Sequence, residues 1–248
     1  LLHDPRPIRD LLLFILKVTR KHGIFIPGVL NGKEMERGYA CGLAYFSGLL
    51  HKYLLNTGDM GLLREDIGGI SLLRRIEEAL EAELAYRDDN TGLFWTDNEL
   101  PSDASDITGW SGSLGPNQEA VTRFRGGAGT FYNDSNATIY GTFLAMADIE
   151  DLAGNSTLSK RYREQARDLE TAIQKHMWNE ELQFFCDLNK DGTINDYMGI
   201  GGFITGLFAN QVYRPGGLAT QDQAETLARW CADPEFASDY GVISLARR

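Results

Sequence analysis

The sequence predicts a mostly helical fold in which a small β-hairpin is inserted between two helices. A buried helical face is indicated by apolar residues that recur at spacings of three and four: Tyr162, Ala166, Leu169, Ile173 and Met177. Downstream, the aromatic segment 184–187 precedes Asp191-Gly192, and strand-forming residues beside an Asp-Gly turn predict a hairpin. Helix, hairpin, helix is therefore the expected repeating unit.

Seven helices are predicted in all, at about residues 8–18, 40–55, 71–86, 136–152, 159–178, 197–210 and 220–231. The inner face of the first is assigned to Ile8, Leu11, Leu12, Ile15 and Val18. Residues 87–130 lack a helical pattern but contain two tryptophans and a run of carboxylates. A compact helical domain rarely keeps so long an irregular segment without a function, so this long connection is expected to line a site.

Composition excludes some classes of partner. The 248-residue chain carries a net charge of -11, and no cluster of basic residues is larger than Leu73-Arg74-Arg75 or Arg161-Tyr162-Arg163. A nucleic-acid phosphate backbone would find little to bind, so we expect no nucleic-acid partner. The apolar run at residues 11–16 is flanked by charges and far too short to span a bilayer, so no membrane association is expected.

No cofactor or metal is expected. Cys41, Cys186 and Cys231 lack metal-ligand spacing and are interpreted as buried thiols, and the four histidines are scattered. The hairpin follows the first positions of a calcium loop at Asp187, Asn189, Asp191 and Gly192. Its twelfth position, however, is Met198, where a bidentate Glu is needed.

The chain begins without Met and shows no signal peptide, so it is interpreted as a mature or excised piece, and a secreted location is favoured without being established.

Five short motifs, in order, carry a family resemblance. They are Thr57-Gly58-Asp59, Asp89-Asn90-Thr91-Gly92-Leu93, Ile139-Tyr140-Gly141, Met177-Trp178-Asn179-Glu180 and the segment 236–245. With these motifs the chain resembles the six-hairpin glycosidases, in particular the clan of inverting enzymes that includes trehalase, the processing α-glucosidases and mannosylglycerate hydrolase. The resemblance implies an all-α (α/α)6 toroid, in which an outer ring of helices surrounds an inner ring and sugar binds at one end.

The resemblance also implies that the toroid is incomplete here. A full toroid needs twelve helices, so residues 1–248 are interpreted as one toroid domain truncated at its C-terminal end. Such a truncation exposes an apolar seam, which a second copy or another partner is expected to cover. In relatives the carboxylate that activates water follows the segment at 236–245, so we expect it beyond Arg248.

The general acid of relatives lies in the long connection. The corresponding stretch runs from Asp103 to Trp110, and a match to the family motif would put an acid at Thr108. Because position 108 is a threonine, the acid is either displaced within this stretch or lost. Asp106 is the first candidate for a displaced acid and Asp103 the second. Burial against Trp110 and the negative charge of Asp103 would both keep such an acid protonated. Both aspartates also fit the ordinary roles of solvated loop acids or helix caps.

Substrate-binding roles are assigned to six residues: Trp110, Trp95, Glu36, Arg37, Tyr39 and Tyr132. Flat aromatic rings suit the apolar faces of sugars. Core packing for the aromatics and surface ion pairs for the charged residues are the alternatives.

The resulting hypothesis is an inverting glycoside hydrolase that acts on an α-linked glycoside, with a carbohydrate as its partner. Inversion uses one carboxylic acid for the leaving group and one carboxylate for water, roughly 6.5 to 9.5 Å apart. Two alternatives remain open. One is a non-catalytic carbohydrate-binding or scaffold toroid that has lost its acid, and the other is a lyase or epimerase on a related toroid.

Overall fold

A computed structural model describes residues 4–18, 27–30, 33–38, 42–95, 130–196, 198–208, 216–238 and 241–242. Its longer helices are α1 (Arg6–Val18), α2 (Gly42–Thr57), α3 (Leu72–Glu83), α4 (Asn133–Ala153), α5 (Ser156–Met177) and α7 (Gln221–Ala232). Helix α6 is one turn, Ile200–Phe203, and continues as a wider π-helical turn, Ile204–Phe208. Short 3₁₀ turns occupy Leu62–Arg64 and Leu84–Tyr86. The seven predicted helices are thus all present.

Helices α4 and α5 differ in how they are buried, as an inner helix and the outer helix that covers it would. Helix α4 is buried on every side from Tyr140 to Ala147, and it packs against α5 along its length and against α2. Helix α5 instead buries a single face, and this face consists of the residues predicted from the spacing: Tyr162, Ala166, Leu169, Ile173 and Met177. A helix that is apolar all round belongs in an interior, whereas a one-sided helix covers it.

Capping residues place the ends of three helices. The Ser71 side chain accepts the backbone N–H of Arg74 at 3.2 Å at the start of α3. Thr220 and Gln223 cap the start of α7 reciprocally, each side chain bonding the other's backbone N–H. Gly154, with φ of 84°, ends α4 in the left-handed conformation and allows α5 to begin two residues later.

The predicted hairpin exists, but the prediction placed its turn wrongly. Strand β3 (Trp178–Asn179) pairs antiparallel with β4 (Phe184–Phe185) across a turn in which Gln183 has φ of 52°. The Asp191-Gly192 turn closes a separate antiparallel loop, in which Leu188 bridges Ile194 and the backbone N–H groups of Asn189 and Asn195 donate to Thr193 and Asp187. The chain therefore reverses before the Asp-Gly dipeptide, directly after α5.

Three further features differ from the sequence prediction. A hairpin of β1 (Pro27–Leu30) and β2 (Lys33–Gly38) precedes α2 and was not predicted. Strands β5 (Ala237–Ser238) and β6 (Gly241–Val242) form another short pair after α7. The inner face of α1 was partly wrong, because Leu12 and Leu16 are buried while Leu11 is 43% exposed.

Close backbone approach explains the glycines of α6. A Cβ at Gly202 would lie 2.1 Å from Cε1 of Phe184, and one at Gly206 would lie 2.2 Å from Cδ1 of Leu227. These two glycines let the helical segment 200–208 contact the hairpin on one side and α7 on the other. Phe184, Phe203 and Phe236 pack around this contact with ring centroids 4.9 to 5.7 Å apart.

In the part of the chain that the structure describes, no helix is both long enough and apolar enough to cross a membrane.

Candidate functional site

The described chain stops at Trp95 and resumes at Thr130, and a buried amide joins the residues on the two sides of this part of the long connection. The Asn136 side chain, in the first turn of α4, accepts the Phe94 N–H at 2.7 Å and donates to the Phe94 carbonyl at 2.9 Å. Its second amide hydrogen reaches the Tyr132 carbonyl at 2.8 Å. Asn136 thus satisfies both backbone groups of Phe94 as a neighbouring strand would, and it does so with no exposure to solvent.

The returning end is fixed to the hairpin region. Phe131 and Leu188 exchange both backbone hydrogen bonds, at 2.9 and 3.0 Å. The Asp187 carboxylate then accepts the backbone N–H of Asn133, the first residue of α4, at 2.9 Å. A carboxylate at a helix N-terminus opposes the positive end of the helix dipole, so Asp187 stabilises the start of α4 although it is almost wholly buried.

A third set of contacts adds α6. The Asn133 side chain donates to the Phe185 carbonyl at 3.1 Å and accepts the Thr205 hydroxyl at 3.4 Å. Gly201 allows this approach, because a Cβ there would lie 2.6 Å from Oδ1 of Asn133. We call the buried polar residues at this end of α4 and on the neighbouring elements the floor cluster, and its members are Asn133, Asp134, Asn136, Asp187 and Thr205.

The departing end is a tight turn. The Asp88 carboxylate accepts the N–H groups of Asn90 and Thr91 and the Thr91 hydroxyl, at 3.1, 2.7 and 2.9 Å. These hydrogen bonds, with the Thr91 N–H as the largest cause, hold the pKa of Asp88 below its usual value. Gly92 completes the turn with φ of 76°. Asp88, directly before the Asp89-Asn90-Thr91-Gly92 motif, therefore holds the motif in the turn from which the connection starts.

Two predicted substrate-binding aromatics lie at the ends of this connection. Trp95 is half-buried, its ring meets Tyr86 edge-on with centroids 5.2 Å apart, and its backbone N–H donates to the Tyr86 carbonyl at 3.0 Å. Tyr132 is 1% exposed, which leaves its ring almost no surface for a sugar. Both residues lie near Asn136 of the floor cluster. Their substrate-binding roles stay predictions. Partial burial is compatible with such a role for Trp95, and nearly complete burial disfavours it for Tyr132.

The other predicted site residues are placed only in part. The backbone puts Glu36 and Arg37 on β2. The catalytic candidates Asp103 and Asp106 lie outside the described residues, as do Trp110 and Tyr39. No group of three or more potential metal-ligating side chains occurs within the described ranges. In the loop considered for calcium, the Asp191 carboxylate accepts the Thr193 N–H and hydroxyl, and these bonds lower its pKa.

A family model matches residues 71–248, from the start of α3 through the floor cluster to α7 and beyond. It describes the mannosylglycerate hydrolase MGH1-like glycoside hydrolase domain. The chain belongs to this family. The match spans most of the chain and confirms the resemblance to the six-hairpin glycosidases that the five motifs indicated. No curated protein gives a significant match to the sequence.

Solved structures agree with this family at the level of the fold. The GH78 family rhamnosidase of Bacillus sp. GL1 is similar with a TM-score of 0.67 and 12% identity over 92% of this chain and 20% of that protein. Neutral trehalase from Saccharomyces cerevisiae is similar with a TM-score of 0.57 and 17% identity, over 97% of this chain and 55% of the trehalase. An uncharacterised conserved protein from Thermus thermophilus is similar with a TM-score of 0.63 and 13% identity, over 96% of this chain and 71% of that protein. These likenesses confirm an all-α fold of the (α/α)6 six-hairpin type.

The chain spans about a fifth of the rhamnosidase and about half of the trehalase.

Sequence reasoning missed the polar residues of the floor cluster. The pattern assigns Asn133, Asp134 and Asn136 only to the start of a helix, and Thr205 to an apolar helix. Asp187 was considered solely as a calcium ligand. The one available signal was a group of polar residues opening a helix that is apolar all round, where each buried polar side chain needs a tertiary partner.

Proposed function

We propose that this chain forms part of an inverting glycoside hydrolase that acts on an α-linked glycoside. The observation that carries the proposal is the match to a glycoside hydrolase family over residues 71–248, which include the long connection and the floor cluster. The family match favours hydrolysis over the lyase and epimerase alternatives. Carbohydrate is accordingly the proposed substrate class.

The floor cluster supports a site at this end of α4. Buried hydrogen bonds fix the residues on either side of the connection that contains Asp103 and Asp106. A catalytic acid must be held in place relative to its substrate, and a segment anchored at both ends to buried helices meets this need better than one anchored by exposed contacts. Trp95, half-buried at the departing end, is the proposed aromatic platform for a sugar ring.

In the proposed reaction Asp106 donates a proton to the leaving glycosidic oxygen, and a second carboxylate, which we place outside the described residues, activates water on the opposite face. Asp103 acts as a positioning residue whose negative charge keeps the pKa of the acid raised. The attacking water bonds to the anomeric carbon as the bond to the leaving oxygen breaks. An α-glycoside therefore yields the β-anomer of the sugar.

The proposal is tested on the full-length gene product with α-glycosides that differ only in the leaving group, an alkyl alcohol or 2,4-dinitrophenol. We expect Asp106→Asn to slow alkyl glycosides by a factor on the order of 10² to 10⁴, the usual share of general acid catalysis. Dinitrophenyl glycosides need no proton and should be affected far less. Asp97→Asn, another acid of the same connection, is the matched control and should leave both rates unchanged.

Asp103→Asn should act more mildly and move the alkaline limb of the pH profile downward, because a negative neighbour that raised the acid's pKa is gone. Proton NMR of the first product formed should show the β-anomer.

Equal, small losses for both leaving groups at Asp106 would remove that residue from the acid role. Binding of sugars without any turnover would favour the non-catalytic alternative, in which Thr108 stands where relatives carry the acid.

A further inference from the structure

Two buried glutamates meet at the end of α4 that lies away from the floor cluster. Glu150, near the C-terminus of α4, is fully buried, and Glu77 of α3 is 9% exposed. The Glu150 carboxyl lies within hydrogen-bonding contact of the Glu77 carboxyl. Fourteen residues of helix separate Glu150 from Asn136, which corresponds to about 21 Å. Neither glutamate has a role in the proposed reaction.

The two carboxyls have unequal partners. Asn155 donates to Oε2 of Glu150 at 2.7 Å, while Oε1 is buried and receives no hydrogen bond within the described part of the chain. Oε2 of Glu77 instead accepts a hydrogen bond from the Arg74 guanidinium at 2.9 Å. Glu77 therefore has a cation beside it and Glu150 only a neutral amide. This asymmetry, together with the complete burial of Glu150, favours the protonated form of Glu150.

The other charged groups around the pair do not supply Glu150 with a cation of its own. Arg74 is shared with Glu78 and Glu81 of the same helix, at 3.5 and 3.6 Å. On α5, the Arg163 guanidinium is bound to Asp151 at 2.8 Å and to Asp148. His51 of α2 faces Asp148 at 3.7 Å.

Tyr162 of α5 also faces the pair, and burial, followed by the charges of Glu150 and Glu77, raises its pKa to about 12. Its hydroxyl therefore stays neutral. Arg161 lies on the same helix, where it acts on Tyr162. Among the described residues, the Arg74 guanidinium is the cation that contacts the pair directly.

We propose that Glu77 and Glu150 form a proton-binding site that fastens α3 to α4 and makes the stability of the fold depend on pH. In the folded protein Glu150 carries the proton and donates it from Oε1 to Glu77. When the proton leaves for solvent, two buried carboxylates face each other, and the Arg74 guanidinium contacts Glu77 but not Glu150. The contact between the two helices then weakens, so the folded protein is more stable in mildly acidic than in neutral solution.

The direction follows from linkage. Burial, the largest cause, together with the contact with Glu77 raises the pKa of Glu150 from 4.5 to about 7 in the folded protein. The folded state therefore binds the proton more tightly than the unfolded state. This contribution to stability is complete below about pH 4.5 and is lost as the pH rises to about 7.

The test compares urea unfolding of the wild type and Glu150→Gln from pH 4.5 to 8. Glutamine keeps an oxygen for Asn155 and an N–H donor for Glu77, so it imitates the protonated acid. Relative to the variant, the unfolding equilibrium constant of the wild type should rise across this range by up to about 300-fold, tenfold for each unit of the pKa shift.

The difference between the two curves isolates Glu150 from other titrating groups. Burial lowers the pKa of His51, so its contribution is lost as the pH falls below 6.5 and opposes that of Glu150. Because His51 is present in both proteins, its effect cancels. Glu78→Gln, which removes an exposed carboxylate that also pairs with Arg74, is the matched control and should give a flat difference curve.

Infrared spectroscopy reads the proton directly and needs no variant to fold. The folded wild type at pH 6 should show the carbonyl stretch of a protonated carboxylic acid, this band should fall to about half near pH 7 and vanish at higher pH, and Glu150→Gln should lack it. A flat difference curve, or the absence of the band from the wild type, would overturn the proposal. Neither measurement depends on glycosidase activity, so failure of this proposal and failure of the proposed function can be distinguished.

Discussion

Replacing Asn136 by alanine is the most direct test of how the long connection is anchored. The Asn136 side chain makes three buried hydrogen bonds, two to the backbone of Phe94 and one to the Tyr132 carbonyl. Alanine keeps the helical backbone of α4 and removes all three bonds. The Tyr132 carbonyl retains its bond from the Asn136 N–H at 3.1 Å, whereas Phe94 loses both of its partners.

The expected loss of stability follows from those two orphaned groups. Phe94 is 3% exposed, so water does not readily replace the amide. A buried backbone group left without a partner costs about 1–3 kcal/mol, and two of them cost about 2–6 kcal/mol. We therefore expect Asn136→Ala to lower the free energy of unfolding by about 4 kcal/mol, within the 5–15 kcal/mol that a domain of this kind ordinarily has.

Urea unfolding followed by circular dichroism measures this loss. Asn56→Ala is the matched control, because the Asn56 amide also donates to a backbone carbonyl, that of Lys52, but at an exposed position. It should change the unfolding free energy by less than about 0.5 kcal/mol. If Asn136→Ala cost no more than the control, Phe94 would not depend on Asn136 and the floor cluster would not anchor the connection.

Two further predictions concern packing and chemical reactivity. Gly202→Ala should lower the unfolding free energy by about 3 kcal/mol, because its Cβ would fall 2.1 Å from the Phe184 ring, whereas Gly61→Ala at an exposed position should be nearly neutral in the same urea titration. Cys186 should resist a thiol reagent at pH 8 in the folded protein, since burial raises the pKa of its thiol far above the usual value. With Cys41 and Cys231 replaced by serine, the absorbance of the released reagent should rise only after denaturant is added. Rapid reaction of the folded variant would contradict the burial of Cys186.

Helical periodicity predicted the outer helices well because each of them buries one face. The five residues of α5 assigned to the core are all buried. The same reasoning succeeded less well for α1, where Leu11, Leu12 and Leu16 are all apolar and the pattern alone does not centre the buried stripe. The neighbouring helix decides which leucines it covers, and this information is not local.

The hairpin shows a second limit of local signals. Asp-Gly is a strong turn signal and does form a turn, but strand β4 had a nearer partner in Trp178–Asn179. That pairing places Trp178 against Phe185 with ring centroids 4.9 Å apart. Tertiary packing of these aromatic side chains, and not the Asp-Gly turn, selects the partner of β4, since a two-residue strand pair is too short to be stable alone.

The sequence predicts a candidate site in the long connection, but it did not predict the residues that anchor the two ends of that connection. A long break with tryptophans and carboxylates pointed to the connection, and the family match over residues 71–248 agrees with the glycosidase resemblance. The partner of Asn136 lies 42 residues earlier in the chain and that of Asn133 lies 54 residues later, at Asp187. Contacts so distant in sequence leave no periodic trace.

Helix α4 explains why polar anchors occur where they do. Apolar residues surround its middle on all sides, so the hydrophobic effect favours burial of the helix without selecting its rotation or its position along its axis. Directional contacts can make that selection: Asn133 and Asn136 bind particular backbone groups at one end, and Glu150 meets Glu77 at the other. Replacing the anchors at one end alone should therefore leave the helix buried but weaken the definition of its position, and hence of the connection that begins beside it.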